Sequence, residues 1–184
     1  MVSHTFYTQH TEEFYDFYKN KMIFLDAKPN KAHLKLAEME RAGKLSAIVT
    51  QNIDGLHQAA GSKNVFELHG SVHRNYCQKC GKFFDVNYVV NAKGVPYCDE
   101  CGGIIKPDVV LYEEGLDSQT INGAVRAISK ADMLIIGGTS LVVYPAAGMI
   151  DYFKGKYLAV LNRDATSRDK QADLCITDPI GEVL

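Results

Sequence analysis

Residues 132–140 read Asp-Met-Leu-Ile-Ile-Gly-Gly-Thr-Ser, and this stretch indicates the fold class. Its apolar run is continuous, not alternating, which is typical of a strand covered on both faces of a sheet. Two similar runs, at 46–50 and 157–161, also end in polar loops. Stretches with a helical pattern lie between them, including 117–130 and 145–153. Strands that alternate with helices in this way predict a parallel α/β sheet.

The amino-terminal part of the chain is predicted to be helical. Residues 11–22 place aromatic side chains at helical spacing, with acidic residues in the first turn. Asn30 is predicted to cap a second helix that runs to Gly43.

Polar loops at 51–55, 137–140 and 162–164 follow the three predicted strands. In parallel sheets, ligands bind beyond the carboxyl ends of the strands, so these loops are candidates for a common binding site. Small residues at 137–140 offer free N–H groups at a predicted helix start, which suits a phosphate. A tight turn without a ligand explains the same residues, and the sequence leaves both interpretations open.

Composition and charge exclude several classes of protein. The 184 residues are 46% hydrophobic and 23% charged, as in an ordinary globular chain. Twenty Lys and Arg against 22 Asp and Glu give a net charge of −2, which argues against nucleic acid or an anionic membrane as the main partner. With no apolar run of the roughly 18 residues that a membrane span requires, and no signal peptide at Met1, we expect a cytoplasmic protein.

Four of the five cysteines form two Cys-x-x-Cys pairs, at Cys77, Cys80, Cys98 and Cys101. This spacing is typical of a tetrahedral zinc site, and four thiolates leave no open position for water, so we predict one structural zinc ion. A redox dithiol and a nucleic-acid-binding zinc ribbon are the alternatives. The fifth cysteine, Cys175, is predicted to be a buried strand residue.

A carboxylate, an amide and an imidazole are expected near one edge of the sheet. Residues 51–54 follow a predicted strand, and His69 with Gly70 follows another at 66–68. Such groups could recognise a polar ligand and move a proton. The other five histidines are expected to be structural or exposed.

Four motifs occur in an order that carries a family resemblance. They are Thr50-Gln51-Asn52-Ile53-Asp54-Gly55-Leu56-His57, Glu67-Leu68-His69-Gly70, the four-cysteine segment, and Gly138-Thr139-Ser140-Leu141-Val142-Val143-Tyr144-Pro145-Ala146. Together they resemble the sirtuin (Sir2) family of NAD-dependent protein deacylases, over nearly the whole chain. The resemblance implies a Rossmann-like α/β fold, a parallel sheet with helices on both faces, and a small four-cysteine zinc module.

The resemblance also implies the roles of individual residues. His69 is the implied general base acting on the ribose hydroxyls of NAD, which serves as a co-substrate. The implied NAD-binding residues are Gln51, Asn52, Ile53, Asp54, Gly138, Thr139, Ser140, Asn162 and Asp178, with Thr177 as an alternative to the last. The implied substrate-binding residues are Val109, Val110, Leu111 and Tyr112, which resemble a segment that pairs as a strand with an acyl-lysine peptide.

The implied reaction begins with attack of the acyl oxygen on the ribose carbon that carries nicotinamide. Its products are nicotinamide, O-acyl-ADP-ribose and free lysine. Family members that remove acidic acyl groups resemble one another in a Tyr-x-x-Arg pair, and this chain has Tyr15 and Tyr18 at the corresponding place. Without that cation a carboxylate tail lacks a partner, which favours acetyl or another neutral acyl group.

Two segments of the family pattern do not occur in these 184 residues. They are an initial strand leading into Gly-Ala-Gly-x-Ser, with an Asp-Phe-Arg segment after it, and a last helix. Because the first strand is central in a doubly wound sheet, we expect two half-sheets with unpaired edges. The alternatives are that the remnant closes differently, that a second chain covers the gap, or that the chain is part of a longer protein.

We therefore predict a Rossmann-like NAD-binding domain at 1–73 and 107–184, and an inserted zinc-binding module at 74–106. The predicted function is that of an NAD-dependent protein-lysine deacylase. The alternative is a catalytically inactive, zinc-containing remnant of the same fold that binds a peptide or a partner.

Overall fold

A computed structural model describes all 184 residues. Its helices are α1 (His4–Gln9), α2 (Thr11–Lys21), α3 (Lys31–Arg41), α4 (Leu56–Ala59), α5 (Val86–Asn91), α6 (Ser118–Lys130) and α7 (Ile180–Val183). Its strands are β1 (Ile48–Thr50), β2 (Val65–Glu67), β3 (Gly70–Cys77), β4 (Phe83–Phe84), β5 (Ile105–Val109), β6 (Met133–Gly137), β7 (Tyr157–Leu161) and β8 (Leu174–Ile176). Ala146–Tyr152 and Asp169–Gln171 are 3-10 helices. None of the helices has the length and apolar character needed to cross a bilayer.

The chain folds into two compact units. The first comprises Met1–Ala27, Gln51–Gly55 and His69–Leu116. The second comprises Lys28–Thr50, Leu56–Leu68 and Asp117–Leu184. The cysteine-rich residues 74–106 therefore lie in the same unit as α1 and α2.

The first unit is built on an antiparallel sheet of order β4-β3-β5. Aromatic side chains from α1 and α2 fill its core, and Phe14, Tyr15 and Tyr18 are completely buried. The Tyr15 hydroxyl donates a hydrogen bond to the Ile105 carbonyl. Burial raises the pKa of Tyr7 to about 12 and raises the pKa values of Tyr15 and Tyr18 further, so all three phenols stay neutral.

The second unit contains the parallel strands, in two separate sheets of order β1-β2 and β6-β7-β8. In the first sheet Ile48 pairs with Val65, and in the second Ile135 pairs with Ala159. The prediction of parallel strands in two half-sheets is therefore confirmed.

Burial of these strands departs from the prediction at the sheet edges. Leu158–Leu161 of β7, the middle strand, are buried, but in β6 only Ile136 is buried and Met133 is 47% exposed. Cys175 lies in β8 as predicted, but it is exposed, so the prediction that it is buried is wrong. An edge strand has a neighbour on one side only, and its side chains are covered less completely.

Local signals set the helix boundaries. The Asn30 side chain accepts a hydrogen bond from the His33 amide at the start of α3, and Gly43 follows its end at φ 68°. The Asp117 side chain caps α6 in the same way through Thr120. The predicted helix at 145–153 is present as a 3-10 helix. Residues 137–140 therefore do not lie at a helix start. The prediction that they offer a phosphate the free N–H groups of a helix start is wrong.

Candidate active site and metal centre

His69 lies between two segments of the first unit. Its ring Nδ1 is 3.0 Å from the Gln51 carbonyl oxygen, and its own carbonyl accepts a hydrogen bond of 3.0 Å from the Val110 amide. A carbonyl oxygen can only accept, so Nδ1 carries the proton in this bond. In the neutral imidazole, Nε2 then keeps its lone pair and can accept a proton.

The predicted cofactor segment, Gln51–Asp54, directly follows β1. Asn52 is exposed, whereas the other three residues are partly buried, and Ile53 packs against the core of the first unit. The Ile53 carbonyl accepts a hydrogen bond of 3.0 Å from the Val72 amide. The structure therefore brings His69 and the segment 51–54 together, as the sequence predicts.

Gly70 has a structural reason to follow His69. It adopts φ 74°, and a Cβ there would lie 1.8 Å from the Asp108 carbonyl oxygen. Gly70 pairs with Val109 across β3 and β5. The close approach that glycine permits is thus between two strands of the protein.

The predicted substrate segment, 109–112, continues from the end of β5. Leu111 is buried, while the Tyr112 side chain is 65% exposed. The Tyr112 amide donates to the Val2 carbonyl at 3.0 Å, and its carbonyl accepts from the His4 amide at 2.9 Å. One backbone edge of Tyr112 is therefore already paired within the chain.

Two glutamates that the sequence analysis did not single out fix the end of this segment. Glu113 adopts φ 77°, and its carboxylate accepts hydrogen bonds from the amide and the hydroxyl of Thr5. Glu114 accepts from Leu111, and it pairs with His4 at 2.8 Å and with Lys106 at 3.1 Å. No sequence pattern predicts the contacts with Thr5 and His4, because these partners are far from the glutamates along the chain.

The remaining predicted cofactor residues lie in the second unit, where they follow neighbouring parallel strands. Gly138, Thr139 and Ser140 follow β6, Asn162 follows β7, and Asp178 follows β8. Since these strands are parallel, all five residues lie at the same edge of the sheet. The Gly138 amide donates to Leu161, and the Asn162 amide donates to Ile176, which ties the loops together.

The loop after β6 is open around its glycine. Gly138 adopts φ 61°, and a Cβ placed there would meet no atom within 4 Å. The Thr139 hydroxyl accepts a hydrogen bond of 3.2 Å from the Leu141 amide. A loop of small residues with space around it suits a ligand phosphate.

The four cysteines Cys77, Cys80, Cys98 and Cys101 form one cluster, with all four sulfurs within 4.8 Å of one another. The Cys77 and Cys101 sulfurs are 3.4 Å apart, and those of Cys80 and Cys98 are 3.7 Å apart. Zn–S bonds of about 2.3 Å place tetrahedral sulfurs about 3.8 Å apart. The cluster therefore fits a structural zinc ion.

One of these thiols is prepared for metal binding by its surroundings. Burial raises the pKa of the Cys77 thiol, but amide hydrogen bonds from Cys80 and Lys79, together with thiol hydrogen bonds from Cys101 and Cys80, lower the pKa to about 6. A thiolate is the form that binds zinc.

Comparisons with known proteins agree with this geometry. A model described as the Sir2 family matches residues 1–145. The chain belongs to the Sir2 family.

Its relatives match over the whole chain. An NAD-dependent protein deacetylase of Clostridium acetobutylicum is 66% identical over 100% of this chain and 76% of its own length. The deacetylase of Cutibacterium acnes is 53% identical, with 100% and 75% covered. A solved structure described as Sir2 with p53 peptide and NAD+ has a TM-score of 0.92 at 40% identity, covering 100% of this chain and 79% of that chain. One described as Sir2 bound to acetylated peptide gives 0.91 at 40%, covering 99% and 79%.

Membership in the Sir2 family confirms the Rossmann-like α/β fold class with its parallel sheets. The geometry adds what the motifs do not contain: the tautomer of His69, and its backbone link to Val110. From the sequence, His73 is expected to be structural or exposed. It is exposed, and it binds the segment 51–55.

Proposed function

We propose that this Sir2-family chain acts as an NAD-dependent protein-lysine deacylase with acetyl-lysine as its preferred substrate. One water is consumed with NAD and acyl-lysine, and the products are nicotinamide, O-acyl-ADP-ribose and free lysine. The observation that supports the proposal most directly is the hydrogen bond between His69 Nδ1 and the Gln51 carbonyl. It selects the neutral tautomer whose Nε2 can accept a proton from a hydroxyl group.

His69 is the general base in this proposal. The Gln51 carbonyl orients the ring and fixes the proton on Nδ1, so proton transfer takes place at Nε2. NAD, when bound, supplies a ribose carbon that accepts the acyl oxygen as nicotinamide leaves. The protein contributes positioning, since an amide oxygen is a poor nucleophile that must be held against the carbon it attacks.

NAD binding is assigned to two groups of residues. Gln51, Asn52, Ile53 and Asp54 contact the nicotinamide and its ribose, next to the base. Gly138, Thr139 and Ser140 contact the phosphates, Asn162 contacts the adenosine ribose, and Asp178 lies near the adenine. The shared sheet edge of the second group and the open space at Gly138 support this assignment.

The acyl-lysine peptide is assigned to Val109, Val110, Leu111 and Tyr112. The direct bond between the Val110 amide and the His69 carbonyl supports this assignment, because it places the segment beside the base. Pairing through backbone groups gives affinity with few demands on the peptide sequence. The fully buried Tyr18 offers no cation to an acidic acyl chain, which favours acetyl.

The zinc ion is assigned to Cys77, Cys80, Cys98 and Cys101, in a module at 74–106. Four thiolates complete a tetrahedron, so the ion has a structural role. The parallel strands of the Rossmann-like domain lie in the second unit, whereas these cysteines share the first unit with α1 and α2. We also propose a cytoplasmic location, because clustered reduced thiols persist in a reducing compartment.

The test is nicotinamide release from NAD in the presence of an acetyl-lysine peptide. His69→Asn keeps a side-chain donor for the Gln51 carbonyl but has no basic nitrogen, so it separates catalysis from folding. We expect a rate at least about 100-fold lower than that of the wild type, with an unchanged unfolding midpoint. Equal rates for both proteins would remove His69 from the mechanism. Retained zinc and peptide binding without any NAD binding, measured by calorimetry, would favour the inactive remnant instead.

A further inference from the structure

Strand β3 carries a wide irregularity opposite β5. Ser71 pairs with Asp108 and Asn75 pairs with Pro107, so residues 72–74 face no residue of the partner strand. A bulge of this kind frees backbone groups from the ladder and turns side chains in new directions. Here the freed backbone amide is that of Val72, and the redirected side chain is that of His73.

The Val72 amide and the His73 ring both bind the segment 51–55. The Val72 amide donates to the Ile53 carbonyl at 3.0 Å, and Nε2 of His73 is 3.0 Å from the Asp54 carbonyl oxygen. Because the carbonyl only accepts, Nε2 of His73 carries the proton and donates. Together with the His69 bond to Gln51, the residues 69–73 hold three carbonyls of this one short segment.

The His73 ring also lies directly against Gly55. A Cβ at Gly55 would be 2.8 Å from Cδ2 and 3.0 Å from Nε2 of that ring, and Gly55 adopts φ 69°. Only glycine permits so close an approach in this backbone conformation. His73 is itself exposed, so burial in the core does not explain where its ring lies.

We propose that His73 is a positioning residue, which acts through the segment 51–55 on the catalytic ring of His69. By holding the Asp54 carbonyl and covering Gly55, it keeps the Gln51 carbonyl aligned with Nδ1 of His69. This inference rests on the proposed function. Small displacements of positioned groups are costly, so loss of the His73 contact reduces kcat/KM for NAD about tenfold.

The variants are His73→Ala and His73→Gln, whose amide N–H can reach the Asp54 carbonyl. His10→Ala is the matched control, since His10 is another exposed histidine of the first unit, paired with Glu13. Exchange of the Val72 amide, which donates to the Ile53 carbonyl, is measured in the unliganded chain alongside nicotinamide-release kinetics and urea unfolding.

The expected result is specific to the segment. His73→Ala speeds exchange of the Val72 amide about fivefold, because the segment that accepts its hydrogen bond loses the neighbouring one, and it lowers kcat/KM while the unfolding midpoint hardly moves. His73→Gln restores most of both quantities, and His10→Ala changes neither.

A second comparison tests the ring contact. Gly55→Ala destabilises the wild type through its φ and through the clash with His73, and we expect this penalty to be smaller in His73→Ala. Unchanged exchange and an unchanged Gly55→Ala penalty in His73→Ala overturn the proposal. So does a lowered unfolding midpoint that accounts for the whole loss of activity and is not rescued by Gln. An inactive wild type, with faster exchange in His73→Ala, rejects the deacylase function but supports the role of His73 in holding the segment 51–55.

Discussion

At the scale of single residues, carbonyl oxygens decide the chemistry of two histidines. The Gln51 carbonyl requires a proton on Nδ1 of His69, and the Asp54 carbonyl requires one on Nε2 of His73. Two imidazoles four positions apart therefore carry opposite tautomers. The first exposes a basic nitrogen for proton transfer, and the second uses its proton to hold the backbone.

Glu114 makes part of the stability depend on pH. Burial raises its pKa, but hydrogen bonds from His4 and the Leu111 amide, with the charge of Lys106, outweigh burial and lower the pKa. A carboxylate with a lowered folded-state pKa stabilises the protein above its unfolded value, and this contribution is lost as pH falls through the folded value. We expect Glu114→Gln to destabilise the protein by about 1 kcal/mol at pH 7.

Urea unfolding at pH 7 and at acid pH measures this effect. The free energy of unfolding of Glu114→Gln should fall less than that of the wild type between pH 5 and about pH 3. Asp26→Asn, at an exposed position between α2 and α3, is the control. Parallel pH profiles for wild type and Glu114→Gln would contradict the prediction.

At the scale of elements, one glycine sets the contact between α6 and β2. A Cβ at Gly123 would lie 2.3 Å from Cε1 of Phe66. Alanine has the higher helix propensity, by roughly 1 kcal/mol, but overpacking costs roughly 1–3 kcal/mol. Gly123→Ala should therefore lower the midpoint of urea unfolding. Asn122→Ala, at the exposed position before it in α6, should not. A raised midpoint for Gly123→Ala would show that the helix shifts without cost.

The predictable elements are those with local signals. The Asn30 cap, the helical pattern at 117–130 and the apolar run of β7 predict α3, α6 and a buried strand from sequence alone. The bulge after Ser71 and the exposure of Cys175 depend on which strands become neighbours. Spacing along the chain does not contain that information, so the contact of His73 with the segment 51–55 is not predictable from it, whereas the position of His69 beside that segment is.

At the scale of the whole molecule, zinc binding couples four distant cysteines to the stability of the first unit. Cys77 and Cys98 are buried in the core of this unit. Removing the metal therefore leaves four thiols without their ligand bonds, two of them in the core. We expect one zinc per chain, and a lower melting temperature after chelation.

Elemental analysis and thermal unfolding test the zinc prediction. Cys98→Ser should lose the metal, whereas Cys175→Ser, at the exposed cysteine of β8, should retain it. A chain that purifies without zinc and melts at the same temperature with and without chelator would contradict the assignment.

The proposed function requires that this chain couple NAD cleavage to deacetylation of lysine. The most direct measurement is mass spectrometry of a reaction with NAD and an acetyl-lysine peptide, counting each product. We expect nicotinamide, O-acetyl-ADP-ribose and free-lysine peptide in equal amounts, and neither nicotinamide nor O-acetyl-ADP-ribose when the peptide carries no acetyl group. Nicotinamide formed without deacetylated peptide, or no product at all from zinc-loaded chain, would contradict it.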